Sequence, residues 1–385
     1  MYQKINHYIE TLKEKYVQIW IDVCNLESPT RDKAGVDRVG QYFAQRGKEL
    51  GFLVEVYPQA VAGDVITLTM NPEAKGGVAM SGHIDTVHPV GLFGSPAVRV
   101  EGDRIYGPGT LDCKGGVVGA LMAMEALSLA GCKDRVMLLL QTDEEVGSSI
   151  SGRATIHYIC EKAKDCKAFF NCEGHRDGNG VTLYRKGILR YHFEVIGQAF
   201  HASRCFAGGK SAILEASHKI IELEKQKDGE GITFSCGTIG GGTAENTVPE
   251  RCTFSLDIRY ATAEQEQQAH EIVKRVAETS YTGGTTCEYT LVSTRPAMEK
   301  VERNYALLDK LNAIYAKNNM PLLKGGGATG GSDAAYVTLA GIPCVDSVGA
   351  EGAFLHTISE YGILSSLPRC ALRLAIGTYG LLHES

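Results

Sequence analysis

Four short apolar runs, each stopping at a cluster of polar residues, constrain the fold of this chain most. Val78-Ala-Met leads into Ser81-Gly-His-Ile-Asp-Thr, and Arg135-Val-Met-Leu-Leu-Leu-Gln leads into Thr142-Asp-Glu-Glu-Val-Gly. Lys167-Ala-Phe-Phe leads into Asn171-Cys-Glu-Gly, and Pro343-Cys-Val-Asp-Ser-Val precedes Leu355-His-Thr. Runs this short, without polar alternation, predict strands buried on both faces. Helical patterns precede and separate them, at Val36-Asp-Arg-Val-Gly-Gln-Tyr-Phe-Ala and at Gly115-Gly-Val-Val-Gly-Ala-Leu-Met-Ala-Met-Glu-Ala-Leu. The alternation predicts an α/β fold, a mostly parallel sheet with helices on both faces. In such sheets ligands bind beyond the carboxyl ends of the strands, so the polar residues are expected to converge there.

From about residue 184 the rhythm changes. Strands are predicted at Leu189–Ile196, Ile232–Ile239, Cys252–Arg259 and Thr286–Val292, with helices at Ser211–Lys225 and Ala263–Thr279. That order, βαββαβ, is the ferredoxin-like arrangement. The expected organisation is a discontinuous catalytic domain of residues 1–183 and 294–385, interrupted by an inserted lid or dimerisation domain of residues 184–293. Gly325-Gly-Gly-Ala-Thr-Gly-Gly-Ser-Asp lacks the Gly-Lys-Ser/Thr ending of a phosphate-binding loop and is read as a mobile or tightly turned loop near the site. Gly240-Gly-Gly-Thr-Ala-Glu-Asn-Thr-Val-Pro is read as a turn between two strands of the insertion.

A fifth motif, Gly107-Pro-Gly-Thr-Leu-Asp-Cys-Lys-Gly-Gly, completes the chemistry. Taken singly, a His-x-Asp after a strand is an ordinary hydrogen-bonded pair, and Glu144-Glu145 is an ordinary helix start. Together, the imidazoles of His83 and His356 and the carboxylates of Asp85, Asp112, Glu144, Glu145 and Glu173 form the ligand set expected for a pair of divalent metals of zinc character, with one glutamate to spare as a proton carrier. The expectation is a dinuclear metallohydrolase.

The order and spelling of these motifs resemble the zinc exopeptidase family of glutamate carboxypeptidase, aminoacylase, acetylornithine deacetylase and succinyl-diaminopimelate desuccinylase. The resemblance runs from Glu27-Ser-Pro-Thr through Gly331-Ser-Asp-Ala-Ala-Tyr to His356-Thr-Ile-Ser-Glu-Tyr. It implies that Asp112 bridges two metals, with His83 and Glu173 completing one site and Glu145 and His356 the other. It further implies that Glu144 is the general base and that Asp85 hydrogen-bonds the far nitrogen of His83. Glutamate at position 173 resembles the carboxypeptidase and desuccinylase branch, since tripeptidases typically carry aspartate there. Cys113 stands where relatives usually have Met or Asp. It is a small buried filler, a metal ligand or a redox switch, and the resemblance implies a cis peptide between Asp112 and Cys113.

The same resemblance assigns substrate contacts. His201, in Gly197-Gln-Ala-Phe-His-Ala-Ser, matches a histidine that family dimers donate into the neighbouring subunit. Asn246, Arg259 and Arg295 match residues that hold the substrate's carboxylate or carbonyl oxygen, a task suited to the planar fork of arginine. The stretch Asn171-Cys-Glu-Gly-His-Arg-Asp-Gly-Asn-Gly lacks the lysine of the glutamate-specific relatives, which leaves glutamate specificity open.

Composition sets outer limits. A net charge of −6 over 385 residues, with no basic cluster, argues against a nucleic-acid partner. The amino terminus is polar and amphipathic, no run is apolar for the roughly 18 residues that span a bilayer, and twelve scattered cysteines without a CxxC pair read as reduced thiols. A cytoplasmic protein without membrane contact is therefore expected, while the resemblance implies a homodimer through the inserted domain and the ligand set suits zinc, or cobalt or manganese, which compete for the same donors. Its substrate is a small peptide or N-acyl amino acid cleaved next to a free carboxylate. A di- or tripeptidase and a peptide-binding module with a vestigial metal site are the alternatives.

Overall fold

The structure, a computed structural model, describes residues 1–175, 179–228 and 231–384. Arg176, Asp177 and Gly178, part of the stretch that bears on the missing lysine, lie outside the described residues. The chain forms two compact units, Met1–Leu183 with Lys300–Gly327 and Tyr336–Ser385, and Tyr184–Glu299 with Ala328–Ala335.

The first unit is built on an eight-stranded sheet in the order Leu53–Tyr57, Val65–Met70, Val136–Gln141, Val78–His83, Ala168–Asn171, Cys344–Asp346, Gly180–Arg185, Lys324–Ala328. Its four central strands, from Val136–Gln141 to Cys344–Asp346, run parallel, and antiparallel neighbours flank them. Every residue of Val78–His83 and Val136–Gln141 is buried, the condition that removes polar alternation from their sequence.

The helix Lys114–Ala130 is nearly all buried and packs between Tyr2–Asn25 and Ser366–His383. Its first turn comes so close to the end of the strand Ala168–Asn171 that a Cβ on Gly116 would sit 1.9 Å from the carbonyl oxygen of Cys172. Only glycine permits that approach, which brings the Asp112 segment beside Glu173. Tyr2–Asn25 buries Ile5, Ile9, Leu12, Tyr16, Ile19 and Val23, the three-and-four spacing of an amphipathic helix.

A second, small antiparallel sheet joins Gly352–Ala353, Tyr361–Ile363, Arg104–Tyr106 and Arg99–Glu101. The sequence reading did not anticipate it, because strands of two or three residues leave no periodic signal.

The second unit has the order Thr233–Gly241, Arg251–Tyr260, Gly187–Ile196, Thr286–Arg295, all antiparallel, with helices Ala212–Glu224 and Ala263–Glu278 against it. Burial alternates along Gly187–Ile196 and Arg251–Tyr260, as in a sheet with one face in the core. Phe193 and Phe254 are cross-strand partners whose rings stack at 4.4 Å. This is the βαββαβ arrangement expected from the sequence.

Two boundaries differ from the expected ones. Thr286–Arg295 runs on past residue 293, with Arg295 opposite Ile188, and the backbone exchange between Arg185 and Met298 keeps the following residues with the insertion. Residues 328–335 also group with it. Lys186 N–H donates to Ala328, Arg259 donates to the Thr329 carbonyl at 3.1 Å, and Arg185 donates to that of Gly330 at 3.2 Å. The glycine-rich stretch read as a loop is in part an edge strand, Lys324–Ala328, because glycines fit an edge with little side-chain packing. All twelve cysteines are free thiols. Among the described residues no helix is long and apolar enough to cross a membrane.

Candidate metal centre

Five segments of the first unit meet around Asp112, whose carboxylate faces two imidazoles. Its Oδ1 lies 3.0 Å from Nε2 of His83, and its Oδ2 lies 2.9 Å from Nε2 of His356. Glu173 Oε1 stands 3.8 Å from Nε2 of His83, and Glu145 Oε2 stands 3.3 Å from Nε2 of His356. The five residues read from the sequence as ligands are therefore brought together, one histidine and one glutamate on each side of a shared aspartate.

Different elements deliver them. His83 ends a central parallel strand, Glu173 follows the neighbouring strand Ala168–Asn171, and Glu144 and Glu145 open the single turn Glu144–Val146 after Val136–Gln141. His356 does not end a strand of the large sheet, as the sequence reading placed it. It sits in the loop between Gly352–Ala353 and Tyr361–Ile363 of the small sheet, at φ 60°. Asp112 follows Arg104–Tyr106, the strand paired with Tyr361–Ile363, so these two adjacent strands bring residues distant in sequence together.

Asp85 is more than a partner for one imidazole. The nearer acceptor of His83 Nδ1–H is the Asp85 backbone carbonyl, at 3.0 Å, with carboxylate Oδ1 at 3.4 Å. The carboxylate accepts from the backbone N–H groups of Glu144 and Glu145, both at 3.2 Å, and from the Thr30 hydroxyl at 2.8 Å. It thus fixes the turn that carries both glutamates. With Nδ1–H held by a carbonyl, Nε2 is the nitrogen that His83 presents to Asp112 and Glu173.

The electrostatics fit a cation pocket. Burial pushes Glu145 up to about 7, against the pull of His356, and burial holds Glu173 well above the carboxylate range despite His83. Asp112 is equally buried, but hydrogen bonds from His356 and His83 drive it far below that range. Hydrogen bonds that His356 donates to Asp112 and Glu145 raise it to about 10. Burial works against the charged form of His83, yet Cys113, Asp112 and Asp85 hold it well above its usual value.

The peptide between Asp112 and Cys113 is cis. The Cys113 sulfur is fully buried under the strand that carries His83. It accepts from His83 N–H at 3.1 Å and lies where a Cβ on Gly82 would meet it at 3.0 Å. It also falls within 4.8 Å of donor atoms of His83 and Glu173.

The residues expected to touch substrate all belong to the second unit. His201 and Asn246 are neighbours there: Phe200–His201 pairs with Thr247–Val248, and Ala202 N–H donates to the Asn246 carbonyl at 2.9 Å. Exposed His201 accepts from Ser203 N–H at Nδ1, 3.3 Å, which leaves Nε2–H as a donor. Arg259 grips both oxygens of Asp257, at 2.6 and 3.1 Å. Arg295 is buried.

Sequence reasoning missed the pair His88 and Glu360. Both are buried, and His88 Nε2–H donates to Glu360 at 2.9 Å. The only signal was position, since Glu360 lies within the motif that begins at His356.

A cluster of histidines and carboxylates that could hold a metal ion, at the rim of an α/β sheet, suits a metal-dependent hydrolase. The model of peptidase family M20/M25/M40 matches residues 79–375, and the chain belongs to this family. Peptidases of the family are metal-dependent, and the protein is a hydrolase of peptide or other amide bonds. It is 30% identical over 352 residues to carboxypeptidase G2 of Pseudomonas sp. (strain RS-16), covering 90% of this chain and 84% of that one. It is 24% identical over 317 residues to a [LysW]-lysine/[LysW]-ornithine hydrolase of Saccharolobus solfataricus, covering 82% and 81%. Aminopeptidase PepT from Bacillus cereus has a similar structure, with a TM-score of 0.78 at 17% identity over 96% of this chain and 99% of that one.

Proposed function

We propose that the protein is a dinuclear metallohydrolase that cleaves an amide next to a free carboxylate, as a carboxypeptidase or N-acyl-amino-acid hydrolase. One observation carries this reading. The two oxygens of Asp112 address two different histidines, at 3.0 and 2.9 Å, each backed by its own glutamate. His83 with Glu173 would hold one cation, His356 with Glu145 the other, and Asp112 both. Nitrogen and oxygen donors of this kind suit Zn2+, and also Co2+ or Mn2+. When bound, such a pair polarises a scissile carbonyl and activates water near neutral pH.

The chain's own residues do the rest. Glu144 takes the proton from the attacking water and passes it to the leaving nitrogen, its backbone fixed by Asp85. His201 offers Nε2–H to the carbonyl oxygen as charge develops there, with Asn246 as a second donor. Arg259 or Arg295 holds the substrate's carboxylate. The likeness to carboxypeptidase G2 favours a carboxylate-bearing substrate over one recognised by its amino terminus.

The test pairs kinetics with metal analysis on a panel of N-acyl amino acids, their C-terminal amides and dipeptides. Amidation removes a charge-assisted contact worth roughly 1.5–3 kcal/mol, so kcat/KM is expected to fall by about one to two decades. Equal rates for acid and amide would transfer the reading to a di- or tripeptidase. A protein that binds metal and turns over nothing on the panel would favour the vestigial binding module.

The second unit is proposed to form a homodimer. Leu214 and Ile221 on Ala212–Glu224 and Ile239 on the edge strand Thr233–Gly241 are 50, 52 and 56% exposed, an apolar surface suited to a two-fold partner. If His201 acts in the neighbouring subunit, mixing His201→Ala with Glu144→Gln restores about a quarter of the sites by random pairing. No recovery despite subunit exchange would exclude donation in trans. Twelve free thiols support a cytoplasmic setting.

A further inference from the structure

The two halves of the candidate metal centre are tied together by a carboxylate that touches neither imidazole. Glu360 is 1% exposed, and its Oε1 accepts from the backbone N–H groups of Leu111 at 2.9 Å and Asp112 at 3.1 Å, 249 and 248 positions away in sequence. Its Oε2 accepts from Nε2–H of His88. His88 is itself buried, edge-on to Phe93 at 4.9 Å, in the loop that follows His83 and Asp85. Three segments, those of His83, Asp112 and His356, therefore meet on one side chain.

The position of Glu360 gives that contact its consequence. It is the last residue of the loop between Gly352–Ala353 and Tyr361–Ile363, and His356 is in the same loop. The loop closes on itself through Thr357 N–H to Phe354, Thr357 hydroxyl to Phe354 and Glu360 N–H to Thr357. Phe354 and His356 both have left-handed backbones, φ 64° and 60°, a conformation that a non-glycine residue keeps only where surroundings enforce it. His356 is 56% exposed at its side chain, so packing does little to hold it. The bonds from Glu360 to Leu111 and Asp112 are the buried polar connection between that loop and the residue His356 addresses.

We propose that Glu360, anchored by His88, is a positioning residue that sets the distance between Asp112 and His356, and so the affinity of the cation site they share with Glu145. The inference rests on the dinuclear reading above. His83 has its own supports in Asp85 and the parallel sheet, so the site it forms with Glu173 depends on Glu360 only through Asp112.

The experiment is a Co2+ titration of metal-stripped full-length protein, followed by the visible absorption of the bound ion and by metal content. Wild type is expected to bind two Co2+ per chain. Glu360→Ala is expected to keep the first with at most a few-fold loss of affinity and to bind the second about 10- to 100-fold more weakly, the usual cost of losing a group that orients a ligand. Glu360→Gln keeps an acceptor for the Leu111 and Asp112 amides and is expected to recover most of that loss. His88→Phe leaves those bonds intact, removes the anchor, and is expected to weaken the same site by less. It also serves if Glu360→Ala does not fold.

Two tight Co2+ sites in Glu360→Ala would overturn the proposal. Equal weakening of both sites would do so too, since that marks a general structural fault, as would a Glu360→Gln no better than alanine. Wild type that binds fewer than two Co2+ would instead remove the dinuclear reading, and this inference with it.

Discussion

The two histidines that face Asp112 are held in opposite ways. His83 ends a fully buried parallel strand, is 1% exposed, and has its far nitrogen fixed by the Asp85 carbonyl. His356 stands at 56% exposure in a loop with a left-handed backbone, connected to the rest through Glu360. One arm is positioned by the same apolar burial that makes the sheet, and the other by a few hydrogen bonds. A site built this way has a rigid half and an adjustable half, and substitutions should sort by which half they touch.

The largest effect is expected where the arms meet. Asp112→Ala removes the acceptor common to both histidines, so the purified protein should retain neither cation and show no measurable turnover. Metal analysis of the folded variant checks this. One full equivalent of retained metal would show that an arm binds without the shared carboxylate.

Glu144→Gln should separate chemistry from binding. It belongs to neither arm's ligand pair, so both cations should remain while kcat falls about 10²- to 10⁴-fold, the usual contribution of a general base. Near-normal turnover with two bound metals would remove Glu144 from that role.

A smaller effect is expected at the support of the rigid half. Asp85→Ala leaves the backbone carbonyl that orients His83, but strips the acceptor from Glu144 N–H, Glu145 N–H and the Thr30 hydroxyl. A loss of about 10- to 100-fold in kcat/KM is expected, mostly through kcat, because the turn that carries the base loosens. Asp85→Asn keeps one oxygen and should recover part of it. If Asp85→Ala instead releases the His83 cation and leaves kcat of the reloaded enzyme unchanged, the carboxylate serves the imidazole alone.

The same contrast explains what could be read from sequence. The central strands and Lys114–Ala130 announce themselves because burial on both sides leaves unbroken apolar runs, and His83, Glu144, Glu145 and Glu173 fall at or just beyond the strand ends. The ferredoxin-like insertion was legible because one exposed face gives alternation along Gly187–Ile196 and Arg251–Tyr260. The small sheet was not, since Gly352–Ala353 and Tyr361–Ile363 are too short for a period, so the sequence gives no account of how His356 arrives. Glu360 and His88 were invisible for a related reason. Their partners are backbone amides and each other, and no spacing in sequence marks a contact across 249 positions.

The smallest expected effect, a graded one, is the pH dependence of metal uptake. In the metal-free pocket burial raises Glu145 to about 7 and Glu173 well above the carboxylate range, while Asp112 and Glu145 hold His356 at about 10 and His83 also stays well above its ordinary value. All four groups therefore carry protons at neutral pH to a degree that free side chains would not. Cations bind only the deprotonated donors, so uptake must expel those protons. Affinity should rise with pH, by about tenfold per unit for each proton released, through the region from about 7 to about 10 set by Glu145 and His356. The His356 cation should level off near pH 10, and uptake by His83 and Glu173, both held above their ordinary values, should rise with pH as well. Zn2+ competition against a chelator at several pH values, with proton release followed in weak buffer, measures both. An affinity independent of pH between 6 and 8 would show that the metal-free donors do not carry those protons.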